Sequence, residues 1–188
     1  KLYVISGSSG VGKGTVLKEF LAKNPDFVLS VSCTTRKPRQ GEVHGVNYFY
    51  ISEKDFKNGI DNGEFLEWAE FAQNLYGTKK TFVDECFNNG KNVILELETT
   101  GALNIKKQIP ESVLVFIAPP DLKTLEQRLR NRHTEDENAI QKRLSEVEKE
   151  LERAKLYDYT VLNDSVENAV QALENIVKNE VRNERSAG

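Results

Sequence analysis

The chain has 188 residues, which is long enough for one domain with a real hydrophobic core. Its 26 lysine and arginine residues are balanced by 29 aspartate and glutamate residues, and the formal net charge of −3 gives no basic field that would favour polymeric nucleic acid as a partner. Cys33 and Cys86 cannot form a disulfide framework and lack metal-ligand spacing, and no apolar stretch approaches the roughly 18 residues that cross a bilayer, so we expect a cytoplasmic protein with no membrane partner.

The chain opens on a pattern typical of a phosphate-binding loop. Tyr3 to Ser6 resembles a buried strand, and a helical pattern begins near Gly12. Glycines between them remove the Cβ atoms that would hold a polyphosphate away from backbone N–H groups, and the helix offers its positive N-terminal end. Lys13 adds a compact charge that can reach the β- and γ-phosphates. We therefore expect ATP to bind at Gly7, Ser8, Ser9, Gly10, Val11, Gly12, Lys13, Gly14 and Thr15.

One position of this loop departs from the usual pattern. A Ser or Thr normally follows the lysine and gives its hydroxyl to Mg²⁺. Here Gly14 follows Lys13, and Thr15 comes one place later. The hydroxyl for the magnesium shell must therefore come from Thr15, or water must replace it. The alternative for the whole loop is a glycine-rich turn that binds nothing.

The sequence pattern changes between about Ser32 and Thr81, where short aromatic segments are interrupted by glycines. This pattern predicts a small insertion of mixed α and β structure. Near its start, Arg36, Lys37 and Arg39 lie within four residues, around a proline that stiffens the loop. Two arginines can grip a phosphate through forked, charge-assisted hydrogen bonds. The segment therefore predicts a second phosphate site, with a basic surface turn as the alternative.

Strands and helices alternate through the rest of the chain. Strand-like runs recur at Leu2–Ser6, Phe27–Val31, Asn92–Leu97, Val113–Ala118 and Tyr159–Leu162. Helical patterns begin near Gly12, Phe82, Gly101, Asp121 and Val166. This alternation predicts a parallel α/β sheet covered on both faces, with 113–118 as a fully buried strand and Asp121 as the N-cap of the next helix. Because the chain has no methionine and begins within a strand, we expect its natural start upstream.

Two helices are expected near the end of the chain. The segment from Thr134 to Tyr157 is strongly charged, but one apolar stripe recurs in it at helical spacing, at Ile140, Leu144, Val147, Leu151 and Ala154. This predicts a solvated helix packed by its stripe and not a coiled coil. The last helix carries a similar stripe, at Val166, Val170, Leu173 and Val177. We expect the polar chain after Asn179 to fray.

From end to end the chain resembles the guanylate kinases. The resemblance lies in SVSCTTRKPRQGE, NYFY, EFLEWAEF, YGT, VILELE, IAPP and RLRNRHTEDENAIQKRL, which fall in the family's order and spacing. It implies a P-loop NTPase-type parallel sheet flanked by helices in one domain. The core would be 1–31, 82–125 and 148–188, with an inserted mixed α+β GMP-binding region at 32–81 and a helical lid at 126–147. It also implies Mg²⁺-dependent transfer of the γ-phosphoryl group of ATP to GMP, giving ADP and GDP.

The resemblance also implies roles for individual residues. The residues that match guanine contacts are Ser32, Glu67 and Thr78, and those that match GMP phosphate contacts are Arg36, Arg39, Tyr48 and Tyr76. Two acids, usually Asp-x-Asp, lie near the acceptor and the metal in the family and correspond to Glu96 and Glu98. Asn163 corresponds to an ATP-binding residue. The catalytic set would be Lys13 and Arg36 with the lid arginines Arg128, Arg132 and Arg143.

The chemistry of guanine agrees with a carboxylate at Glu67. Guanine offers N1–H and N2–H₂ as donors, and one carboxylate can accept from both. Adenine offers an unprotonated N1 there, and the unpaired acid would cost about 1–3 kcal/mol or more. The hydroxyls of Ser32 and Thr78 can donate to O6. The alternative for Glu67 is a solvated acid beside Trp68, and the alternative for Thr78 is a simple turn residue after Gly77.

Two other functions stay open at this point. A guanylate-kinase-like binding module would keep the fold as an interaction surface, although such modules typically lose the phosphate loop and its lysine. An adenylate or other monophosphate kinase shares the loop but does not explain the TTRKPR, EFLEW and YGT segments. The lid also departs from the family, because His133 replaces a glycine and would either stack on adenine or lie on a mobile surface.

Overall fold

The structure is a computed structural model that describes residues 1–8, 10–130, 140, 145 and 149–187. The strands are β1 (Leu2–Gly7), β2 (Phe27–Leu29), β3 (Cys33–Thr34), β4 (Phe49–Tyr50), β5 (Phe65–Phe71), β6 (Asn74–Lys79), β7 (Asn92–Glu96), β8 (Val113–Ala118) and β9 (Tyr159–Leu162). The helices are α1 (Lys13–Lys23), α2 (Glu53–Asp61), α3 (Lys80–Asn88), α4 (Thr99–Gln108), α5 (Leu122–Arg130) and α6 (Val166–Ala187). Among the described residues, no helix combines the length and the apolar character that a membrane crossing needs.

The strands form two sheets. The larger has five strands in the order β2-β7-β1-β8-β9, and β2 with β7 and β8 with β9 are parallel pairs. The smaller has four strands in the order β4-β3-β6-β5. It is mixed, since β3 is parallel to β4 and antiparallel to β6, which is antiparallel to β5. The parallel sheet with its helices and the separate mixed sheet confirm the predicted fold class. The boundaries proposed for core, insertion and lid stay a prediction.

Contacts divide the chain into two compact units. The first unit consists of Lys1–Tyr3 and Asp26–Ser112, and the second of Val4–Pro25 and Val113–Gly188.

The first unit packs its mixed sheet against α2. The buried residues Cys33, Phe56 and Phe65 form the cluster, and the rings of Phe56 and Phe65 stack with centroids 4.3 Å apart. The hydroxyl of Ser52 accepts the backbone N–H of Asp55 at 3.0 Å and so caps α2 at its start. Helix α2 was not among the predicted helices, and this cap is the local signal that would have found it.

The second unit is built on β8. All six of its residues are buried, which confirms the predicted interior strand. Asp121 accepts the backbone N–H of Thr124 at 2.6 Å and is the N-cap of α5, as expected. A second apolar cluster contains Phe116, Ala118 and Ala154, against which Leu151 packs.

The five predicted strand runs are confirmed, although β2 stops at Leu29. The predicted helix starts agree with the structure to within two residues. The expected fraying after Asn179 is wrong, because α6 continues to Ala187. Neither proline nor glycine occurs in this stretch to end the helix. Most of the charged helical segment lies outside the described residues, but 149–154 are helical, and Ile140 and Ala154 of its stripe are buried.

Candidate active site

The predicted phosphate loop is a strand-turn-helix element of the second unit. Gly7 ends β1, where an added Cβ would lie 2.5 Å from the carbonyl oxygen of Ile117. Gly10 and Gly12 have φ angles of 84° and 94°, in the left-handed region that favours glycine. Gly12 is the N-cap of α1 and has no side chain to occupy the first N–H groups of the helix. The turn therefore has the geometry of an anion-binding loop at a helix N-terminus.

The side chains of the phosphate loop differ in their hydrogen bonds and in their exposure to solvent. The ammonium of Lys13 donates to the carbonyl oxygen of Gly7 at 3.4 Å, so it reaches back across the loop. The hydroxyl of Ser8 is buried and has no hydrogen-bond partner among the described residues. Thr15 is exposed in the first turn of α1, and a Cβ on Gly14 would meet open space. Ser9 lies outside the described residues.

Asn163 braces the phosphate loop from the segment that follows β9. Its side-chain amide donates to the carbonyl oxygen of Val11 at 2.7 Å, and its backbone N–H donates to Ala118 at 2.8 Å. It is 3% exposed, and a Cβ on Gly12 would lie 3.0 Å from its amide nitrogen. The structure therefore shows a contact with the loop backbone, while the predicted contact with ATP stays a prediction.

Two predicted guanine contacts are paired in the mixed sheet of the first unit, and the third directly precedes one of its strands. Glu67 is opposite Thr78 in the pairing of β5 with β6. Residues directly opposite one another lie on the same face of a sheet. Ser32 precedes β3, and its carbonyl oxygen accepts the backbone N–H of Phe49 at 2.9 Å.

Gly77 allows β5 and β6 to approach each other closely. A Cβ at this position would lie 2.8 Å from the carbonyl oxygen of Glu67 and 2.9 Å from the Cβ of Trp68. Any larger residue would push β5 and β6 apart. The YGT segment therefore has a packing reason for its glycine beside the predicted contact of Thr78.

Glu67 is half-buried and hydrogen-bonded to Thr78. The Thr78 hydroxyl donates to its Oε1 at 2.8 Å. Burial raises the pKa of Glu67, and the hydrogen bond from Thr78 lowers it by a smaller amount. The carboxylate is therefore partly withdrawn from water, and its predicted contact with guanine stays a prediction. The single proton of the Thr78 hydroxyl is used by Glu67 in this structure, and its donation to O6 stays a prediction.

The predicted phosphate residues gather around Arg36. Its guanidinium carbon lies 5.5 Å from the ring centroid of Tyr48, and the rings of Tyr48 and Tyr76 are 5.9 Å apart in an edge-on arrangement. Burial raises the pKa of the Tyr48 hydroxyl, with smaller contributions from Tyr76 and Glu96. Arg39 is exposed, and its guanidinium has no ion-pair partner among the described residues.

An acid that sequence reasoning missed lies at the centre of this group. Glu42 receives Nη1 and Nη2 of Arg36 on its two oxygens, at 3.0 and 2.9 Å. The hydrogen bond from Arg36, followed by that from the backbone of Arg39, lowers the pKa of Glu42 to about 2. The same pair raises the pKa of Arg36 above its usual range. A signal was available, since Glu42 is the first acid after the cluster of three cations and lies three positions beyond Arg39.

The remaining predicted residues are dispersed. Glu96 ends β7, Glu98 precedes α4, and both are exposed. The effect of Glu96 on the pKa of Tyr48 places it near the phosphate residues. Arg128 lies in α5. Arg132, His133 and Arg143 lie outside the described residues.

Comparison with known proteins gives one consistent result. The guanylate kinase family model matches residues 1–180. A guanylate kinase from Clostridioides difficile is 48% identical over 179 residues, covering 95% of this chain and 87% of that protein. One from a Synechococcus species is 48% identical over 174 residues, covering 93% and 95%. The crystal structure of guanylate kinase from Anaplasma phagocytophilum has a TM-score of 0.74 at 28% identity, covering 95% of this chain and 85% of that one.

These matches confirm the resemblance predicted from the motifs, and they extend over nearly the whole chain. They also agree with the strand-turn-helix phosphate loop and with the mixed sheet that carries Glu67. The chain belongs to the guanylate kinase family, the phosphotransferases that phosphorylate GMP with ATP.

Proposed function

We propose that the mixed sheet of this chain binds GMP and that residues 7–15 bind the phosphates of ATP. The observation that carries the proposal is the half-buried carboxylate of Glu67, to which the paired Thr78 hydroxyl donates at 2.8 Å. An ionisable acid partly withdrawn from water, in the same unit as a cluster of arginines, matches a ligand with donor groups at one end and a phosphate at the other.

Glu67 would recognise guanine by hydrogen bonds to the edge of the base. Its Oε1 already accepts one hydrogen bond from Thr78, and the remaining lone pairs of the carboxylate can accept N1–H and N2–H₂ of guanine. Adenine has no proton on N1, so the buried acid would face a lone pair at a cost of about 1–3 kcal/mol or more. Because the Thr78 proton is used by Glu67, we assign the hydrogen bond to O6 to Ser32.

The phosphate of GMP would lie among Arg36, Arg39, Tyr48 and Tyr76. Arginine binds phosphate through two parallel N–H bonds, and the exposed guanidinium of Arg39 is open to this use. The raised pKa of Tyr48 keeps its hydroxyl protonated at neutral pH, so that it donates to phosphate oxygens.

The loop at 7–15 would hold the β- and γ-phosphates of ATP. The left-handed glycines at 10 and 12 shape the loop, and the buried Ser8 hydroxyl offers a donor that no described residue takes up. Thr15 is the hydroxyl that this chain offers to Mg²⁺. The described residues include no group of three or more His, Cys, Asp or Glu that could hold a metal, so phosphates and water would supply its other ligands. When bound, Mg²⁺ supplies positive charge beside the β- and γ-oxygens.

Phosphoryl transfer requires positioning and the neutralisation of charge more than covalent chemistry. Lys13 and Arg36 would supply positive charge from the two sites, and Arg128, Arg132 and Arg143 would supply it from the lid. Glu96 and Glu98 would lie near the acceptor and the metal. Polymeric nucleic acid is not expected as a partner at a net charge of −3, and cysteine usage supports a reducing, cytoplasmic location.

A coupled assay of ADP release tests this proposal. With ATP and Mg²⁺, GMP should be phosphorylated far faster than AMP, CMP or UMP, because only guanine offers Glu67 two adjacent donors. Equal rates for GMP and AMP would contradict the assignment of the base site. The absence of turnover with all four monophosphates would favour the binding module instead.

A further inference from the structure

We infer that Glu42 is a positioning residue for the GMP phosphate: it holds one edge of the Arg36 guanidinium so that the opposite edge is presented to phosphate oxygens. The inference rests on the proposed function, since it takes the arginine cluster as the phosphate site. It adds to that function a residue to which the resemblance assigned no role.

The Arg36–Glu42 pair is well protected from solvent. Its two side chains are 16% and 20% exposed, against 39% and 41% for Lys79–Glu64 in the same unit. The pairing is bidentate, which fixes the plane of the guanidinium as well as its distance. Tyr48 and Tyr50 flank the group, with centroids 5.5 and 6.0 Å from the guanidinium carbon.

An account of the donors shows which edge stays available. A guanidinium has five N–H groups. Arg36 gives two to Glu42, and a third, from Nη1, to the carbonyl oxygen of Lys37 at 2.9 Å. The remaining two, on Nε and Nη2, share the other edge, which no carboxylate among the described residues occupies, although the Tyr76 hydroxyl lies within reach of the guanidinium. Two parallel N–H groups on one edge are the arrangement that binds phosphate bidentately.

Glu42 is itself held too firmly to act as a movable competitor of phosphate. Its Oε2 also accepts the backbone N–H of Arg39 at 2.7 Å and the hydroxyl of Tyr50 at 2.8 Å. Its backbone N–H donates to the carbonyl oxygen of Arg39 at 3.1 Å, which closes the turn. One carboxylate therefore joins the side chain of Arg36 to the backbone of Arg39, and so sets the spacing of the two arginines.

The charge of Glu42 also matters to the empty site. Arg36, Lys37 and Arg39 would repel one another when no phosphate is bound. Glu42 contributes the opposing charge from within the turn. The hydrogen bond from Arg36 lowers its pKa to about 2, which keeps that charge present at neutral pH.

The test is to compare GMP with guanosine, which has the same base and sugar but no phosphate. Binding to the full chain is measured by calorimetry for wild type, Glu42→Gln and Glu64→Gln, with the KM values for GMP and ATP measured in parallel. Glu42→Gln should weaken the binding of GMP about 10- to 100-fold. The affinity for guanosine and the KM for ATP should stay within about twofold of wild type. Glu64→Gln, which breaks the more exposed pair of the same unit, should change none of them.

Two further variants keep the inference open to refutation if Glu42→Gln does not fold. Tyr50→Phe removes one hydrogen bond from Glu42 while keeping the ring that flanks Arg36, and it should weaken GMP binding by a few-fold in the same selective way. Glu42→Asp keeps the charge and should recover part of the loss. Equal losses of affinity for GMP and guanosine would show that Glu42 has a merely structural role. Tighter binding of GMP would show that Glu42 competes with phosphate for Arg36. Either result overturns the inference. If wild type itself bound guanosine as tightly as GMP, the proposed phosphate site would fail instead.

Discussion

The hydroxyl of Thr78 and the carboxylate of Glu67 form a 2.8 Å hydrogen bond between directly paired residues of β6 and β5. The bond stabilises the ionised acid, while burial opposes ionisation and is the larger effect on its pKa. A base that brings two donors to this carboxylate replaces the water that the acid lost on folding. The relationship leads to a test of pH dependence and a test of base selection.

The pH dependence of GMP use should report the ionisation of Glu67. Because only the ionised carboxylate accepts from both guanine donors, kcat/KM for GMP should fall as the pH drops through the raised pKa of Glu67. That fall should occur above 4.5, the ordinary value for a glutamate. Thr78→Val removes a hydrogen bond that lowers this pKa, so its profile should break at higher pH. The phosphate of GMP titrates alike for both enzymes, so coincident profiles would contradict the prediction.

The role of Lys13 can be separated from its structural effects. Lys13→Ala should remain folded, with turnover reduced by roughly 10²–10³ or more, because a fixed charge beside the transferring phosphates is lost. Steady-state kinetics and thermal unfolding measure the two effects. Lys18→Ala, an exposed lysine on the same helix, is the control and should retain normal turnover. Turnover within a few-fold of wild type in Lys13→Ala would refute the role given to this lysine.

Two glycines of the phosphate loop should respond in opposite ways to alanine. Gly12→Ala should destabilise the protein by about 1–2 kcal/mol or more, because a Cβ at a φ of 94° is strained and would meet the Asn163 amide at 3.0 Å. Gly14→Ala should stabilise it by about 0.4–1 kcal/mol, since this position is helical and open. Urea denaturation gives both free energies of unfolding. A larger loss of stability in Gly14→Ala than in Gly12→Ala would contradict this description of the loop geometry.

Local patterns in the sequence were enough to predict the phosphate loop and the interior strand. Gly7, Gly10 and Gly12 fall where the backbone needs a close approach or a left-handed residue, and that need is decided within a few positions. The uninterrupted apolar run at 113–118 is typical of a buried strand, because it is only six residues long and two prolines end it.

Other features depend on which atoms meet after folding. Strands β3 and β4 have two residues each, too few to show an alternating pattern. The charge of Glu42 is visible in the sequence, but its bidentate bond to Arg36 depends on how the turn closes. The same holds for Thr78, whose proton is used by Glu67 because the strand register places the two side by side.

The error at the end of the chain has a simpler cause. Polarity after Asn179 was taken as a sign of fraying, although the segment contains residues that favour helices and neither glycine nor proline before Gly188. A polar face is compatible with a continuous helix when nothing in the sequence stops it. Helix α6 accordingly runs to Ala187.

The most direct test of the account is the ratio of kcat/KM for GMP to that for AMP, in wild type and in Glu67→Gln. The substitution replaces an oxygen acceptor with an amide donor, so kcat/KM for GMP should fall about 10- to 100-fold and the preference for GMP should collapse. The KM for ATP should stay within about twofold. Glu70→Gln, an exposed acid on the same strand, should leave the ratio unchanged. An undiminished preference for GMP in Glu67→Gln would contradict the claim that this carboxylate selects the base.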